Sequence, residues 1–184
     1  MIEIRFHAWD RQGVETSVEL LALAAMAEGK YVQAFTNQPL QKGAPVKAFV
    51  RVNEVPISLA AQIEEPDVAV VLDESLLTVQ DVTQGLKKTG ILILNTAKAP
   101  EEIREIYGYQ VTLGVINGNQ IAREILGTSM VNTIMLGAVI KVTQIVHLES
   151  IEPPMLEHLG RSAPKNLAAL QKAYKETVIQ ERET

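Results

Sequence analysis

The sequence predicts an α/β protein: a three-layer α/β/α domain with a mostly parallel central sheet and a C-terminal helix. Segments typical of strands alternate along the chain with segments of helical periodicity, which is the order found in α/β proteins. Two strand segments, DVAVVL at 67–72 and ILILN at 91–95, are aliphatic throughout. Parallel strands covered by helices on both faces have this composition, so these two segments indicate a parallel sheet.

The amino-terminal half begins with a strand and continues with a helix. Ile2, Ile4 and Phe6 alternate with polar residues, as in a strand with one buried face. An Ala/Leu-rich helix follows over 14–28, and Gly29 is suited to the C′ position just beyond its end. We expect further strands at 31–35 and 46–52, with the latter continued at 55–57 beyond a turn.

The same alternation continues through the second half. Pro100 opens a helix, because proline is well tolerated in the first turn. The apolar segment 132–147 is ambiguous between helix and strand, and its length favours a buried helix. Residues 164–182 are predicted to form a C-terminal amphipathic helix, with Leu167 and Tyr174 on its apolar stripe. Shorter elements are expected as helices at 78–86 and 119–126 and as a strand at 110–116.

Length, charge and cysteine content exclude several classes of protein. A chain of 184 residues is expected to form one domain over 1–184. Its 17 basic and 22 acidic residues give a net charge of −5, which argues against a nucleic-acid-binding protein. The absence of cysteine excludes disulfides and cysteine-ligated iron–sulfur clusters in this chain. The longest apolar run, at 20–27, is too short to cross a bilayer, which requires about 20 residues, so we expect a cytoplasmic protein without a membrane partner.

Motifs for catalysis by this chain alone are missing. Gly13 stands alone where a dinucleotide-binding motif has three glycines, and no Gly-Lys-Ser/Thr or Gly-x-Ser-x-Gly sequence occurs. The three histidines lack metal-ligand spacing. Asp73 and Glu74 could act as paired carboxylates in an independent hydrolase, or they could cap a helix at a solvated strand end. We therefore predict no catalytic or metal-binding residue in this chain.

Ligands of parallel sheets bind beyond the carboxyl ends of the strands, so the loops there are the candidate site. Loop 7–13 leads into the first helix, whose free N–H groups favour an anion, and Arg11 could add a forked donor. Trp9 either tucks under this loop or contacts another chain. Alternatively, Trp9 packs on the sheet edge and Arg11 pairs with Asp10 or Glu15. The candidate residues of this loop and of loop 36–45 are Trp9, Asp10, Arg11, Gln12, Gly13, Gln41, Lys42 and Gly43.

Longer stretches identify a family when their order and spacing are taken together. These stretches are EIRFH at 3–7, QG at 12–13, SVELLALAAMAEGKYVQAF at 17–35, GAPVKAFVRV at 43–52, PDVAVVLDESLL at 66–77, GILILNT at 90–96 and NTIMLGAVIKVTQIVHLESIE at 132–152. They resemble the gamma subunit of the pyruvate:ferredoxin oxidoreductase family, also called pyruvate synthase, and domain III of its single-chain members. The resemblance extends from Ile2 to about Val178.

The resemblance implies a three-layer α/β subunit that is not catalytic alone. Complexes of this family oxidatively decarboxylate a 2-oxo acid with thiamine diphosphate and Mg²⁺, and they pass electrons through 4Fe–4S clusters to ferredoxin. The implied partners are alpha, beta and ferredoxin-like delta subunits, and coenzyme A accepts the acyl group in most members. The cofactors are held chiefly by the other subunits, which agrees with a chain that has no cysteine.

Two loops depart from the family pattern. The family usually has His-Gly-Arg-Gly-Gly-Gln-Gly where this chain has HAWDRQG at 7–13, so three glycines are lost. It usually has Phe-Gly-Pro-Glu-Arg-Arg-Gly-Ala-Pro where this chain has the shorter QPLQKGAP at 38–45, with Lys42 in place of paired arginines. Fewer glycines restrict close backbone approach to a ligand, and a lysine lacks the forked donor of arginine.

We therefore hypothesise that the face toward the active centre and coenzyme A is refitted, so that the complex uses a different 2-oxo acid or dispenses with coenzyme A. The alternative is that the changed loops only re-pack a contact between subunits. A function of another class also remains open, namely a stand-alone small-molecule-binding α/β domain that uses the helix end at Gly13.

Overall fold

A computed structural model describes residues 1–10, 12–37, 41–58 and 61–182. Within these ranges seven strands form one sheet in the order β2-β3-β1-β4-β5-β6-β7. The strands are β1 (Ile2–Trp9), β2 (Tyr31–Asn37), β3 (Pro45–Asn53), β4 (Val68–Val71), β5 (Ile91–Asn95), β6 (Thr112–Ile116) and β7 (Val178–Gln180). The strands β1, β4, β5 and β6 pair in parallel. Because β3 is antiparallel to both β1 and β2, β2 also runs with β1, which confirms a mostly parallel sheet.

Helices on the two faces of the sheet complete three layers. They are α1 (Val14–Ala27), α2 (Pro100–Tyr107), α3 (Gly118–Ile121), α4 (Asn132–Thr143), α5 (Glu152–Leu159) and α6 (Ala163–Glu176). The larger core joins residues of α1, α4, α5 and α6 to one face of the sheet. The smaller core joins α2 and the 3-10 helix Glu74–Thr78 to the other face. This arrangement confirms the α/β/α prediction.

The apolar segment 132–147 is helical as far as Thr143, where α4 ends. Nine of its residues, Asn132–Ile140, are buried without interruption, so α4 contacts protein on every side of the helix. This explains why neither a strand pattern nor a one-sided helical stripe is visible in its sequence. At Gly137 the helix crosses α6 so closely that an added Cβ atom would lie 2.2 Å from the backbone oxygen of Leu170.

Three predicted elements are wrong, each for a local reason. The segment 55–57 is not a strand, and Pro56 within it has no N–H group to donate to a ladder. The helix expected at 78–86 is replaced by the 3-10 helix Glu74–Thr78 and turns, with Gly85 at φ 72°. The C-terminal helix expected over 164–182 ends at Glu176, because Thr177 turns the chain into an extended conformation and Val178–Gln180 pairs with β6.

Candidate functional site

The candidate site lies where the chain direction reverses in the middle of the sheet. From β1 the chain passes through α1 to β2 on one side, whereas from β4 it continues to β5 on the other. The carboxyl ends of β1 and β4 are therefore neighbours whose connections diverge. In open α/β sheets such a divergence leaves a crevice in which ligands bind.

Trp9 is the last residue of β1, and its backbone, its indole N–H and its ring each make a contact that holds it in place. Its backbone N–H donates to Oε1 of Gln12 at 2.7 Å, and the N–H of Gln12 donates back to the Trp9 carbonyl at 3.1 Å. The indole Nε1 donates to Oγ of Ser75 at 2.9 Å, and the ring packs on the smaller core. Within this chain Trp9 therefore packs at the end of the sheet, and its contact with another chain stays a prediction.

Asp73 links this loop to the end of β4. Its Oδ2 accepts from Nε2 of Gln12 at 3.1 Å, while its Oδ1 accepts from the backbone N–H and the hydroxyl of Ser75 at 3.0 and 2.6 Å. Asp73 thereby caps the 3-10 helix Glu74–Thr78. In all of these contacts the carboxylate is the acceptor, and both of its oxygens are used.

Glu74 is held in the same way by a different pair of residues. Its carboxylate accepts from the hydroxyl of Thr96 at 2.6 Å and from the ammonium group of Lys98. Partial burial raises the pKa of Glu74, but the hydrogen bonds from Lys98 and Thr96 and the charge of Lys98 outweigh it and lower the pKa below its ordinary value. Asp73 and Glu74 thus serve as a cap and an ion pair, which favours the structural interpretation over a hydrolytic carboxylate pair.

Gly13 is needed at the start of α1 for two reasons. Its φ of 70° suits glycine, and an added Cβ atom would lie 2.7 Å from Nδ2 of Asn132. That amide donates to the Gly13 carbonyl at 3.1 Å, and Oγ of Ser17 donates to the Asn132 carbonyl at 3.1 Å. The amino terminus of α1 is therefore fixed to the first residue of α4.

The second altered loop is bonded to the first. Oδ2 of Asp10 accepts from the N–H of Gly43 at 3.0 Å, and the N–H of Asp10 donates to the Ala44 carbonyl at 3.0 Å. The Ala44 N–H donates to the Gln41 carbonyl at 3.2 Å. Lys42 is exposed and has no hydrogen-bond or ion-pair partner within the described ranges. Arg11 lies outside those ranges, so its pairing with Asp10 or Glu15 stays a prediction.

Sequence reasoning missed the residues that follow β5. Asn95 is buried and donates from Nδ2 to the Leu72 carbonyl at 2.8 Å and to Oδ1 of Asn119 at 3.2 Å, which joins the ends of β4 and β5 to α3. Together with Thr96 and Lys98 it continues the row of polar contacts from the end of β4 to the end of β5. The polar ending of an otherwise aliphatic strand, Asn95-Thr96, is the signal that could have indicated it.

Replacing Asp73 with alanine is expected to lower the free energy of unfolding by about 1–2 kcal/mol, because a helix cap and the link to Gln12 are lost together. Trp9 is the single tryptophan, so its fluorescence in urea titrations reports on this loop directly. Asp73→Asn keeps the acceptor for Ser75 but turns an amide N–H₂ group toward Nε2 of Gln12, so it loses that link and is expected to cost about half as much as alanine. Equal losses in both variants would show that the link to Gln12, rather than the cap, holds the loop.

Residues 3–176 match the family described as pyruvate ferredoxin/flavodoxin oxidoreductase. The chain belongs to this family. It is 47% identical over 184 residues to the pyruvate/ketoisovalerate oxidoreductases common subunit gamma of Thermococcus litoralis, covering 98% of this chain and all of that protein. It is 41% identical over 178 residues to the pyruvate synthase subunit PorC of Methanocaldococcus jannaschii, covering 96% and 97% of the two chains. These matches confirm the resemblance to gamma subunits.

Solved structures agree with this assignment. The pyruvate oxidoreductase subunit PORC of Thermotoga maritima superposes with a TM-score of 0.86 at 37% identity, covering 98% of each chain. The 2-oxoglutarate:ferredoxin oxidoreductase of Magnetococcus marinus superposes with a TM-score of 0.78 at 20% identity, over 95% of this chain and 30% of that one. The second likeness shows the shared fold alone.

Two further properties bear on the site. In the ranges that the structure describes, no three His, Asp or Glu side chains are grouped so that they could hold a metal ion. Among the described helices, none combines the length and the apolar character needed to cross a bilayer.

Proposed function

We propose that this chain is the gamma subunit of a 2-oxoacid:ferredoxin oxidoreductase, which oxidatively decarboxylates pyruvate or a related 2-oxo acid and transfers the electrons to ferredoxin. The observation that carries the proposal is the match to gamma subunits along their full length. On this proposal thiamine diphosphate, Mg²⁺ and 4Fe–4S clusters reside in the alpha, beta and ferredoxin-like delta subunits of a cytoplasmic complex.

The contacts around Asp73 and Glu74 support a role in which this chain shapes the active-site cavity and does not itself catalyse the reaction. Asp73 accepts from Gln12 and Ser75, and Glu74 accepts from Thr96 and Lys98, so both carboxylates are used in contacts that hold the loops together. The side chains form a cross-linked edge of fixed shape. We infer that this edge closes a cavity whose reacting groups belong to the partner subunits.

The two altered loops support a changed preference at the coenzyme A face. Asp10 stands where the family usually has glycine, and its carboxylate occupies the N–H of Gly43, which would otherwise be free to bind an anion. Lys42 is the one cation at the position where the family usually has two arginines, and it lacks their forked donor. Both effects weaken recognition of a phosphate, so we propose a non-standard 2-oxo acid or acyl acceptor.

The test is to purify the complex with its co-expressed partner subunits and assay it against a panel of 2-oxo acids, with and without coenzyme A. Purification of the chain without any larger thiamine-binding subunit would overturn the gamma-subunit proposal. Ordinary coenzyme A-dependent turnover of pyruvate would leave that proposal intact and overturn the refitted face, which would then be a re-packed subunit contact.

Asp10→Gly is expected to raise the coenzyme A-dependent rate at subsaturating coenzyme A by about tenfold, because one hydrogen-bond donor to a charged group becomes free and a repelling charge is removed. Asp10→Asn is the matched control, since it removes the charge but keeps an acceptor for the N–H of Gly43. The coenzyme A-dependent rate is expected to be highest in Asp10→Gly, lower in Asp10→Asn and lowest in the wild type. A rate that is unchanged in both variants would mean that coenzyme A does not approach this loop.

A further inference from the structure

A groove of about 720 Å³ opens at the edge of the sheet opposite Trp9, where β5 and β6 begin. Its floor consists of Leu86, Tyr107, Tyr109 and Val111, all of which are partly buried against the smaller core. Its rim carries the polar side chains Asp81, Thr83, Lys88, Gln110 and Arg182. An apolar floor with a few polar groups around it, in a volume between about 300 and 1,000 Å³, is typical of small-molecule sites.

The two tyrosines form a fixed aromatic surface in this groove. Their rings are stacked with centroids 5.6 Å apart and an interplanar angle of 12°. Gly108 between them has a φ of 70°, which ends α2 and brings both rings to the same side of the chain. The Tyr109 carbonyl accepts from the guanidinium of Arg104 at 2.8 Å, so the turn is held from within the protein. A planar ligand therefore meets an aromatic face that needs little ordering.

The charge of the rim is positive, in contrast to the net charge of −5 of the chain. Within the described ranges, the side chains of Lys88 and Arg182 have no hydrogen-bond or ion-pair partner. The rim has one acidic residue, Asp81, whose Oδ1 accepts from the N–H and the hydroxyl of Thr83 at 2.9 and 2.7 Å, so two cations face a single carboxylate. Two free cations at one rim favour an anionic ligand.

We propose that this groove binds a planar aromatic anion of nucleotide size, with its ring against the aromatic stack that Tyr107 and Tyr109 form and its negative group between Lys88 and Arg182. The site is separate from the crevice at Trp9, because it lies at the amino ends of the strands whereas the crevice lies at their carboxyl ends. The proposal is therefore independent of whether the complex uses coenzyme A.

The test titrates the full chain with AMP by calorimetry and by NMR of ¹³C-labelled tyrosine rings, of which the protein has only four. Saturable AMP binding that shifts the resonances of Tyr107 and Tyr109 is expected. Adenosine, which lacks the charge, and ribose 5-phosphate, which lacks the ring, are each expected to bind about tenfold more weakly. Adenosine binding as tightly as AMP, or no binding of AMP at millimolar concentration, would overturn the proposal.

Variants locate the binding. Lys88→Gln and Tyr107→Leu are each expected to weaken AMP binding by about tenfold. Lys165→Gln and Tyr31→Leu make the same changes at exposed positions outside the groove and are expected to leave the affinity unchanged. Lys88 is exposed, so its variant keeps the test informative even if the tyrosine variant fails to fold. AMP binding that both groove variants retain in full would place the ligand elsewhere and refute the assignment.

Discussion

Replacing Gly137 with alanine is expected to lower the free energy of unfolding by about 3 kcal/mol or more. The added Cβ atom would lie 2.2 Å from the Leu170 carbonyl oxygen and 3.0 Å from the Tyr174 nitrogen, both in the backbone of α6. Backbone atoms cannot rotate away, so the two helices must separate. Alanine favours a helix over glycine by only about 1 kcal/mol, which does not offset this overpacking.

Chemical denaturation of the purified chain measures the effect. Ala168→Gly, at an exposed position of α6, is the calibrating control, because it changes helix propensity without a packing contact and is expected to cost about 1 kcal/mol. Helix propensity favours Gly137→Ala and disfavours Ala168→Gly, so the control measures the size of this contribution. A Gly137→Ala protein with a higher free energy of unfolding than the wild type would show that α4 and α6 can move apart at little cost.

Acid is expected to destabilise the wild-type protein more than a His7→Gln variant. His7 is fully buried on β1, and its Nε2 accepts from Nε of Arg5 at 2.9 Å. Its Nδ1 lies 3.1 Å from Nε2 of Gln80, so both ring nitrogens face nitrogen atoms of neighbouring side chains. Burial, together with the charges of Arg5 and Lys47, lowers the pKa of His7 from 6.5 to about 3.

The direction of the pH dependence follows from this depressed pKa. The unfolded chain binds a proton at His7 below pH 6.5, whereas the folded protein does not until about pH 3. The contribution of neutral His7 to stability is thus present above pH 6.5 and is lost as the pH falls toward 3. Between pH 7 and 4 the wild type is expected to lose about 3 kcal/mol more than His7→Gln. Parallel pH profiles in urea titrations of the two proteins would contradict this, since the other acidic and basic groups are common to both.

Residues with strong local patterns were predictable from the sequence. The aliphatic segments 67–72 and 91–95 became β4 and β5, and the Ala/Leu-rich segment became α1 with Gly29 at its C′ position. In contrast, the spacing of Val178 suits a continuation of α6 as well as a strand. Val178 forms a strand because it pairs with the open edge of β6. Such a choice depends on a partner far away in the chain, which a local pattern cannot show.

For the candidate site, the position of the loops could be predicted from the sequence, whereas the roles of their side chains could not. The sequence predicted that both loops lie beyond the carboxyl ends of parallel strands, and their described residues lie there; whether this edge is the site stays a prediction. The roles of Asp73 and Glu74 were undecidable from sequence, since they depend on Gln12, 61 residues from Asp73, and on Lys98, 24 residues from Glu74. Only the folded sheet brings these residues together.

The short strand β7 determines how far toward the C-terminus the chain must extend for the sheet to be complete. The match to the family model ends at residue 176, whereas the gamma subunit of Thermococcus litoralis aligns with 98% of the chain. Val178–Gln180 pairs with β6 at one edge of the sheet, and Arg104 donates to the carbonyls of Gln180 and Glu181. The sheet therefore extends beyond the residues that match the family model. A chain shortened to residue 176 would expose the hydrogen-bonding groups of β6 and promote self-association through that edge.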